Sequence, residues 1–199
     1  MKTLAKTGPA KTELTEAAQV STTLPGYWQE ACAHLVKKDR VMKRLIPQFG
    51  QACLQSRGDA FITLARSIVG QQISVKAAPS VWDRFARLPR QMTPRNVLKL
   101  KVDDMRSAGL SARKVEYLVD LALHFDSGAV HVKGWEAMSD DEIIAELVAI
   151  RGIGRWTAEM FLIFHLMRPN VLPLDDVGLI NGISRNYFSG ESVSRSEAR

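Results

Sequence analysis

Apolar residues recur every three or four positions along most of this 199-residue chain, and this spacing limits the fold more than any other feature. In the segment 59–72, one face of a helix carries the apolar residues Phe61, Leu64, Ile68 and Val69. This period is that of an α-helix, whereas the strict alternation typical of a half-buried strand is scarce. We therefore predict a compact all-α fold of some ten short helices, without a β domain.

Polar residues indicate where several of these helices begin. Thr93 precedes Pro94, and proline suits the first turn of a helix. Ser111 opens the apolar-periodic segment 111–125, and Ser139 with Glu142 has the spacing of a capping box. Arg113 and Lys114, just after one of these starts, could either touch a phosphate or lie on a solvated helix face.

Charge and cysteine content limit the kinds of partner and cofactor. The net charge of +6 divides into +10 for residues 1–133 and −4 for residues 134–199. A basic part beside an acidic part fits a bound polyanion, although ordinary surface charge explains it equally well. Cys32 and Cys53 are too few for a disulfide framework or an iron–sulfur cluster, and they indicate a reduced, intracellular setting. We expect no membrane span, because no apolar run is long enough.

Two glycines, Gly152 and Gly154, separate the helical segments of residues 147–164. Glycines permit a tight turn and let a flat phosphate approach the peptide groups. A second helix starting at about Arg155 would direct its free amides and positive end at that phosphate. We predict a helix–hairpin–helix that holds DNA by its backbone, although glycines in this pattern occur as often in plain helix–turn packing. The predicted clamp residues are Gly152, Ile153, Gly154, Arg155 and Thr157.

Asp175 and Asp176 open the apolar segment that follows Pro173. A helix from Trp156 to about Met167 rises about 18 Å. The connecting residues 168–175 can span at most about 26 Å, so the two carboxylates can return to the hairpin. One of them has the position of a helix N-cap, a role that aspartate favours.

These motifs together resemble the helix–hairpin–helix (HhH-GPD) DNA glycosylases, and within that superfamily the 3-methyladenine DNA glycosylase II type most of all. The matching segments are LARSIVGQQISVKAA (64–78), GLSARKVEYLVDLA (109–122), IRGIGRWTA (150–158) and LPLDDVGL (172–179). The resemblance implies a two-lobed glycosylase domain over 26–188. One lobe contains about 26–50 and the C-terminal part, the other contains 58–125, and a shallow boundary lies near 126–138. Residues 1–25 are expected to be a mobile tail, and 189–199 a polar end where relatives continue with another helix.

The resemblance also assigns roles to individual residues. The family's acid precedes an apolar residue and a glycine, which makes Asp176 the expected catalytic residue and Asp175 the supporting cap. The expected base pocket consists of Trp156, Met160 and Phe161. Gln71 and Gln72 occupy the position of the wedge that fills the base stack when a nucleotide is flipped out. The carbonyls of Arg151 and Ile153 are expected to bind a monovalent cation, without any catalytic metal.

The implied activity is hydrolysis of the N-glycosidic bond of alkylated purines in damaged double-stranded DNA. Bifunctional relatives carry a lysine where this chain has Trp156, and no lysine follows Lys133. We therefore expect a monofunctional enzyme that leaves an abasic site and acts as a monomer, in a bacterial-type cytoplasm in association with the nucleoid. The alternatives are a non-catalytic DNA-binding module that uses the hairpin alone, or a glycosylase for another damaged base.

Overall fold

The computed structural model describes residues 25–50, 52–56 and 58–199, and every regular element in that part of the chain is a helix. The α-helices are α1 (Trp28–Lys38), α2 (Arg40–Leu45), α3 (Ala60–Gly70), α4 (Ala77–Ala86), α5 (Pro94–Val97), α6 (Val102–Ser107), α7 (Ala112–Asp126), α8 (Asp140–Val148), α9 (Arg155–Phe164) and α10 (Val177–Tyr187). Two short 3-10 helices, Ile46–Phe49 and Val132–Gly134, lie between them. The all-α prediction with some ten helices is confirmed, and residues 1–24 of the predicted tail lie outside the described residues.

The predicted helix starts are confirmed by their capping bonds. The side chain of Thr93 accepts a hydrogen bond from the amide of Asn96, and α5 begins at Pro94. Ser139 and Glu142 form the expected capping box at the start of α8. A side-chain cap of this kind stabilises a helix by about 1 kcal/mol, because it satisfies an amide that has no partner within the helix.

The hydrophobic core lies where α7 packs against α3 and α5, and where α8 packs against α9. Its centre consists of the apolar stripes recognised in the sequence, and the fully buried side chains there include Leu64, Ile68, Leu118, Leu121, Leu147 and Leu162. None of the helices in the described part combines the length and hydrophobicity that crossing a bilayer requires. The core therefore fixes α3, α7, α8 and α9 relative to one another, and these helices carry most of the residues discussed below.

Polar contacts join the start and the end of α2 to the last turn of α10. The Tyr187 hydroxyl donates to Oδ2 of Asp39 over 2.9 Å, and the Arg44 guanidinium donates to Oδ1 of Asn186 over 3.0 Å. None of the residues of α1, α2 or α10 is buried. These helices therefore lie together outside the main core, while the division into two lobes stays a prediction.

Candidate nucleic-acid interface

The hairpin between α8 and α9 turns at Gly152, where two features require glycine. The φ angle of +86° lies in the left-handed region that side chains disfavour, and a Cβ atom at this position would overlap the ring of Tyr117. Ile153, the next residue, is buried, and its amide donates to the carbonyl of Ile150 over 3.1 Å. The turn is thus packed from within, which gives its backbone a fixed shape. The cation site at the carbonyls of Arg151 and Ile153 stays a prediction.

Gly154, two residues further along the same turn, faces open space. It precedes α9, which begins at Arg155 as predicted, and no described atom lies within 4 Å of a Cβ built on it. The first bond within α9 joins the amide of Ala158 to the carbonyl of Gly154 over 3.0 Å. The amides of residues 155–157 precede that bond and point out of the positive end of the helix. This arrangement can receive a phosphate group.

Arg155 and Thr157 are less available to a phosphate than the hairpin backbone is. Nε of Arg155 lies 3.0 Å from Oε1 of Glu159, and the guanidinium also lies 3.5 Å from a carboxylate oxygen of Asp141. The Glu159 side chain is only 8% exposed, so Arg155 compensates a buried negative charge. The Thr157 side chain is buried, which leaves its backbone amide as the group that a phosphate could reach.

The carboxylate of Asp176 lies beside the start of α9. Its Oδ1 accepts from the amide of Leu179 over 2.8 Å, and its Oδ2 accepts from the indole Nε1–H of Trp156, also over 2.8 Å. Gly178 packs so closely that a Cβ there would lie 3.0 Å from Oδ1. The structure therefore brings together Asp176 and the first turn of the hairpin helix, as the length of the connecting segment allows.

The prediction that Asp175 caps the following helix is wrong, because Asp176 is the N-cap of α10. The residue directly before the first helical residue has the free amides of the first turn within reach of its side chain, and α10 begins at Val177. Asp175 instead forms an ion pair with Arg195. The preceding helix, α9, also ends earlier than expected, at Phe164 rather than near Met167.

Hydrogen bonds lower the pKa of Asp176 below its ordinary value. The amide of Leu179 has the largest effect and the indole of Trp156 the next, while partial burial opposes them. Both bonds favour the charged form of the carboxyl group. The group is therefore ionised at neutral pH.

Replacing Trp156 by Phe is expected to raise the pKa of Asp176 towards the ordinary aspartate value of about 3.9, because the indole N–H donor is lost. An aromatic ring remains at this position. Because the pKa is lowered on folding, the carboxylate stabilises the fold above the unfolded value, and this contribution is lost as the pH falls through the folded value. In the Trp156→Phe variant, this stabilising contribution begins to be lost at a higher pH. NMR titration of the Asp176 carboxyl carbon measures the change, and an unaltered pKa would contradict the role given to the indole.

A cleft of about 650 Å³ opens between α3, α4 and α9, on the exposed side of Trp156. Its apolar wall consists of Ile73, Val75, Trp82, Trp156, Met160 and Phe164. Trp156 is 44% exposed although it is a large aromatic residue, and it contacts both this cleft and Asp176. A cleft of this size can enclose a nucleobase, and its aromatic walls can stack on one.

Phe161 does not line this cleft, so its predicted place in the pocket is wrong. Its side chain is 3% exposed and packs edge-on against Trp135, with ring centroids 5.3 Å apart. Positions 156, 160 and 164 repeat at intervals of four and form one stripe of α9, whereas 161 belongs to the neighbouring stripe that faces the core. That spacing could have indicated Phe164, which was missed. Trp82 was missed because only the packing of α4 shows which wall it forms.

The two predicted wedge residues differ in their surroundings. Gln71 is half-buried, and its Nε2 donates to the carbonyl of Gly152 over 2.9 Å. Gln72 is exposed and has a φ angle of +55°, which is uncommon for a residue with a side chain. The wedge assignment stays a prediction, and the geometry favours Gln72 as the residue presented to a partner.

A larger cavity of about 760 Å³ lies elsewhere, along α1 and the segment around Cys53. None of the predicted site residues lines it, and neither the hairpin nor Asp176 borders it. The volume of a cavity therefore does not identify the functional site by itself. The smaller cleft is favoured because Trp156 joins it to an ionised carboxylate.

The sequence and the fold are both similar to those of known proteins. Over residues 65–199 the sequence matches the HhH-GPD superfamily of base excision DNA repair proteins. It is 33% identical over 177 residues to DNA-3-methyladenine glycosylase 1 of Schizosaccharomyces pombe, covering 85% of this chain and 76% of that protein. The fold is similar to that of the S. pombe 3-methyladenine DNA glycosylase in complex with abasic DNA, with a TM-score of 0.74, 32% identity and 84% of each chain covered. It is also similar to a DNA-3-methyladenine glycosidase from Bacillus halodurans, with a TM-score of 0.75, 35% identity, and 81% of this chain and 76% of that chain covered.

Proposed function

The chain belongs to the HhH-GPD superfamily of base excision DNA repair proteins, and on that basis we propose that it is a DNA-3-methyladenine glycosylase. It flips an alkylated purine out of double-stranded DNA, hydrolyses the bond between base and sugar, and leaves an abasic site. Several relatives that carry the name of this activity are 32–35% identical to this chain. The geometry described above supports the roles that we give to individual residues below.

Binding begins at the hairpin. The backbone around Gly154 and the free amides at the start of α9 hold a phosphate, which requires no particular base sequence. A target base inside the duplex is out of reach of the enzyme, so the nucleotide rotates outward at a cost of a few kcal/mol. The flipped base enters the cleft beside Trp156, whose electron-rich face attracts the positive charge of an alkylated purine.

Asp176 assists the departure of that base. An alkylated purine already carries positive charge, so it leaves with the electrons of the glycosidic bond and becomes neutral without a strong acid. The ionised carboxylate stabilises the oxocarbenium-like sugar, and water attacks the anomeric carbon and gives up its proton to that carboxylate. The single observation that carries this proposal is the hydrogen bond between Trp156 and Asp176, which joins a charged carboxylate to the wall of the cleft.

The reaction stops at the abasic site, because the position that would carry an attacking amine is Trp156 and no lysine follows Lys133. We expect the protein to release methylated purines from alkylated duplex DNA, which chromatography of the released bases will show. We expect no covalent adduct after borohydride treatment and no strand cleavage before alkali is added.

These measurements also separate the rival functions. Binding of DNA without any base release would indicate a DNA-binding module that uses the hairpin alone. Release of uracil or an oxidised purine, without methylated purines, would indicate a glycosylase for another lesion. An adduct trapped by borohydride would show that a lysine elsewhere in the chain reaches the sugar.

A further inference from the structure

The segment Gly70–Ile73, which we call the wedge loop, begins at the last residue of α3 and carries Gln72 in the left-handed region of φ. An exposed residue with a side chain keeps such a conformation only when the surrounding contacts impose it. Two side chains donate hydrogen bonds to backbone carbonyls in this region. Gln71, within the loop, donates to the hairpin, and Lys114 donates to the last turn of α3. Lys114 has no role in the proposed reaction described above, and Gln71 has been considered only as a wedge residue.

The first of these side chains is that of Gln71. Its amide nitrogen donates to the carbonyl of Gly152 over 2.9 Å, so it joins the wedge loop directly to the hairpin although 81 positions separate them in the sequence. Gly152 is the residue where the hairpin turns. A shift of either segment would break this bond, and the two segments therefore hold each other in place.

The second side chain is that of Lys114. Its ammonium group is partly buried and donates to the carbonyl of Val69 over 2.7 Å, in the last turn of α3. Carbonyls at the end of a helix lack partners and carry negative partial charge, so a lysine there both completes a hydrogen bond and matches the charge. Of the two interpretations of Lys114 from the sequence, a phosphate contact and a solvated face, neither describes this inward position.

The helix that carries Lys114 also supports the hairpin. Tyr117 lies against Gly152, and Oδ2 of Asp120 accepts from the amide of Arg151 over 2.8 Å. Positions 114, 117 and 120 repeat at intervals of three and so share one side of α7. One rigid helix therefore contacts both the end of α3 and the turn of the hairpin.

We propose that Gln71 and Lys114 are positioning residues that hold the wedge loop and the hairpin as one unit, so that Gln72 enters the base stack at a fixed distance from the gripped phosphate. This inference rests on the proposed glycosylase function. Opening of the duplex then depends on the bond from Gln71 to Gly152, while the chemistry at Asp176 does not. Gln71 and Lys114 act at the step in which the nucleotide flips out. Replacing them should therefore slow base release most in a duplex where the damaged base is paired with a base on the other strand.

The test compares two duplexes that carry the same methylated purine, one with an ordinary base opposite it and one with an abasic site opposite it. We expect Gln71→Met and Lys114→Met to slow single-turnover release from the paired duplex about tenfold or more, since a misplacement of about 1 Å can have an effect of that size. Release from the unpaired duplex should stay close to that of the wild type. Gln91→Met and Lys133→Met make the same chemical changes at exposed positions and serve as matched controls.

Equal slowing on both duplexes, or no slowing on either, would overturn the inference. If Lys114→Met lowers the melting temperature so far that the protein unfolds, Gln71→Met decides the question alone, because its side chain belongs to a loop and not to the core. If the wild type itself releases no methylated purine from either duplex, the proposed function fails and this inference fails with it. The two failures are therefore distinguishable.

Discussion

Replacing Asp176 by Asn is expected to slow the release of methylated purines by about a hundredfold to ten thousandfold, the range typical of losing a positioned acid–base group. A neutral amide cannot stabilise the cationic sugar and cannot take a proton from water. Asparagine caps helices as well as aspartate does, so the acceptor for the amide of Leu179 is kept and α10 should be unaffected. The side-chain NH2 of asparagine cannot accept from the indole of Trp156, so the substitution removes the charge and that bond while it keeps the helix cap.

The measurement is single-turnover release of base from methylated duplex DNA, with the affinity for that DNA determined separately. We expect the affinity to be close to that of the wild type, because the proposed phosphate contacts come from the hairpin. Asp175→Asn is the matched control: it removes a carboxylate one position away that pairs with Arg195 instead of Trp156. If Asp175→Asn slows release as much as Asp176→Asn does, or if neither slows it, the catalytic assignment is wrong.

Replacing Gly152 by Ala is expected to lower the free energy of unfolding by about 2–5 kcal/mol. Of this, about 1–2 kcal/mol comes from placing a side chain at a left-handed φ and about 1–3 kcal/mol from overpacking against Tyr117. Urea denaturation gives the value directly. In a Tyr117→Ala background the overpacking part should disappear while the conformational part persists, which a double-mutant cycle resolves.

Gly154→Ala is the matched control for this change, because the same methyl group is added two positions away. Gly154 has a φ angle of −90°, and no described atom lies near its added Cβ, so the fold should tolerate alanine. The affinity for DNA should nevertheless fall, because the methyl group occupies the space through which a phosphate approaches. Equal losses of stability at the two positions would show that the turn is not packed as described.

Much of this molecule follows from local sequence. The helices could be predicted because an apolar period near 3.6 and the caps at Thr93, Ser111 and Ser139 depend on residues within a few positions of each other. The start of α9 after two glycines has the same origin. The membership of the HhH-GPD superfamily was also readable from the sequence, since several motifs occur together in the expected order.

The tertiary structure alone decided how side chains at the site are used. The boundary of α10 made Asp176 the cap and gave Asp175 a different partner, and the packing of α4 placed Trp82 at the cleft. Arg155 was expected to face a phosphate, and it also compensates the buried Glu159. Each of these outcomes depends on which face of a helix packs against its neighbour. A shift of one residue along a helix changes that face.

The sequence by itself determined which segments are helical, where they begin, and which family the chain belongs to, because these properties arise from residues that are close together along the chain. Only the tertiary structure joined Gln71 to Gly152 and Lys114 to Val69. Such bonds link residues that are dozens of positions apart, and no local pattern of charge or hydrophobicity encodes them. They form because packing of α3, α7 and the hairpin around one core brings their ends within hydrogen-bonding distance.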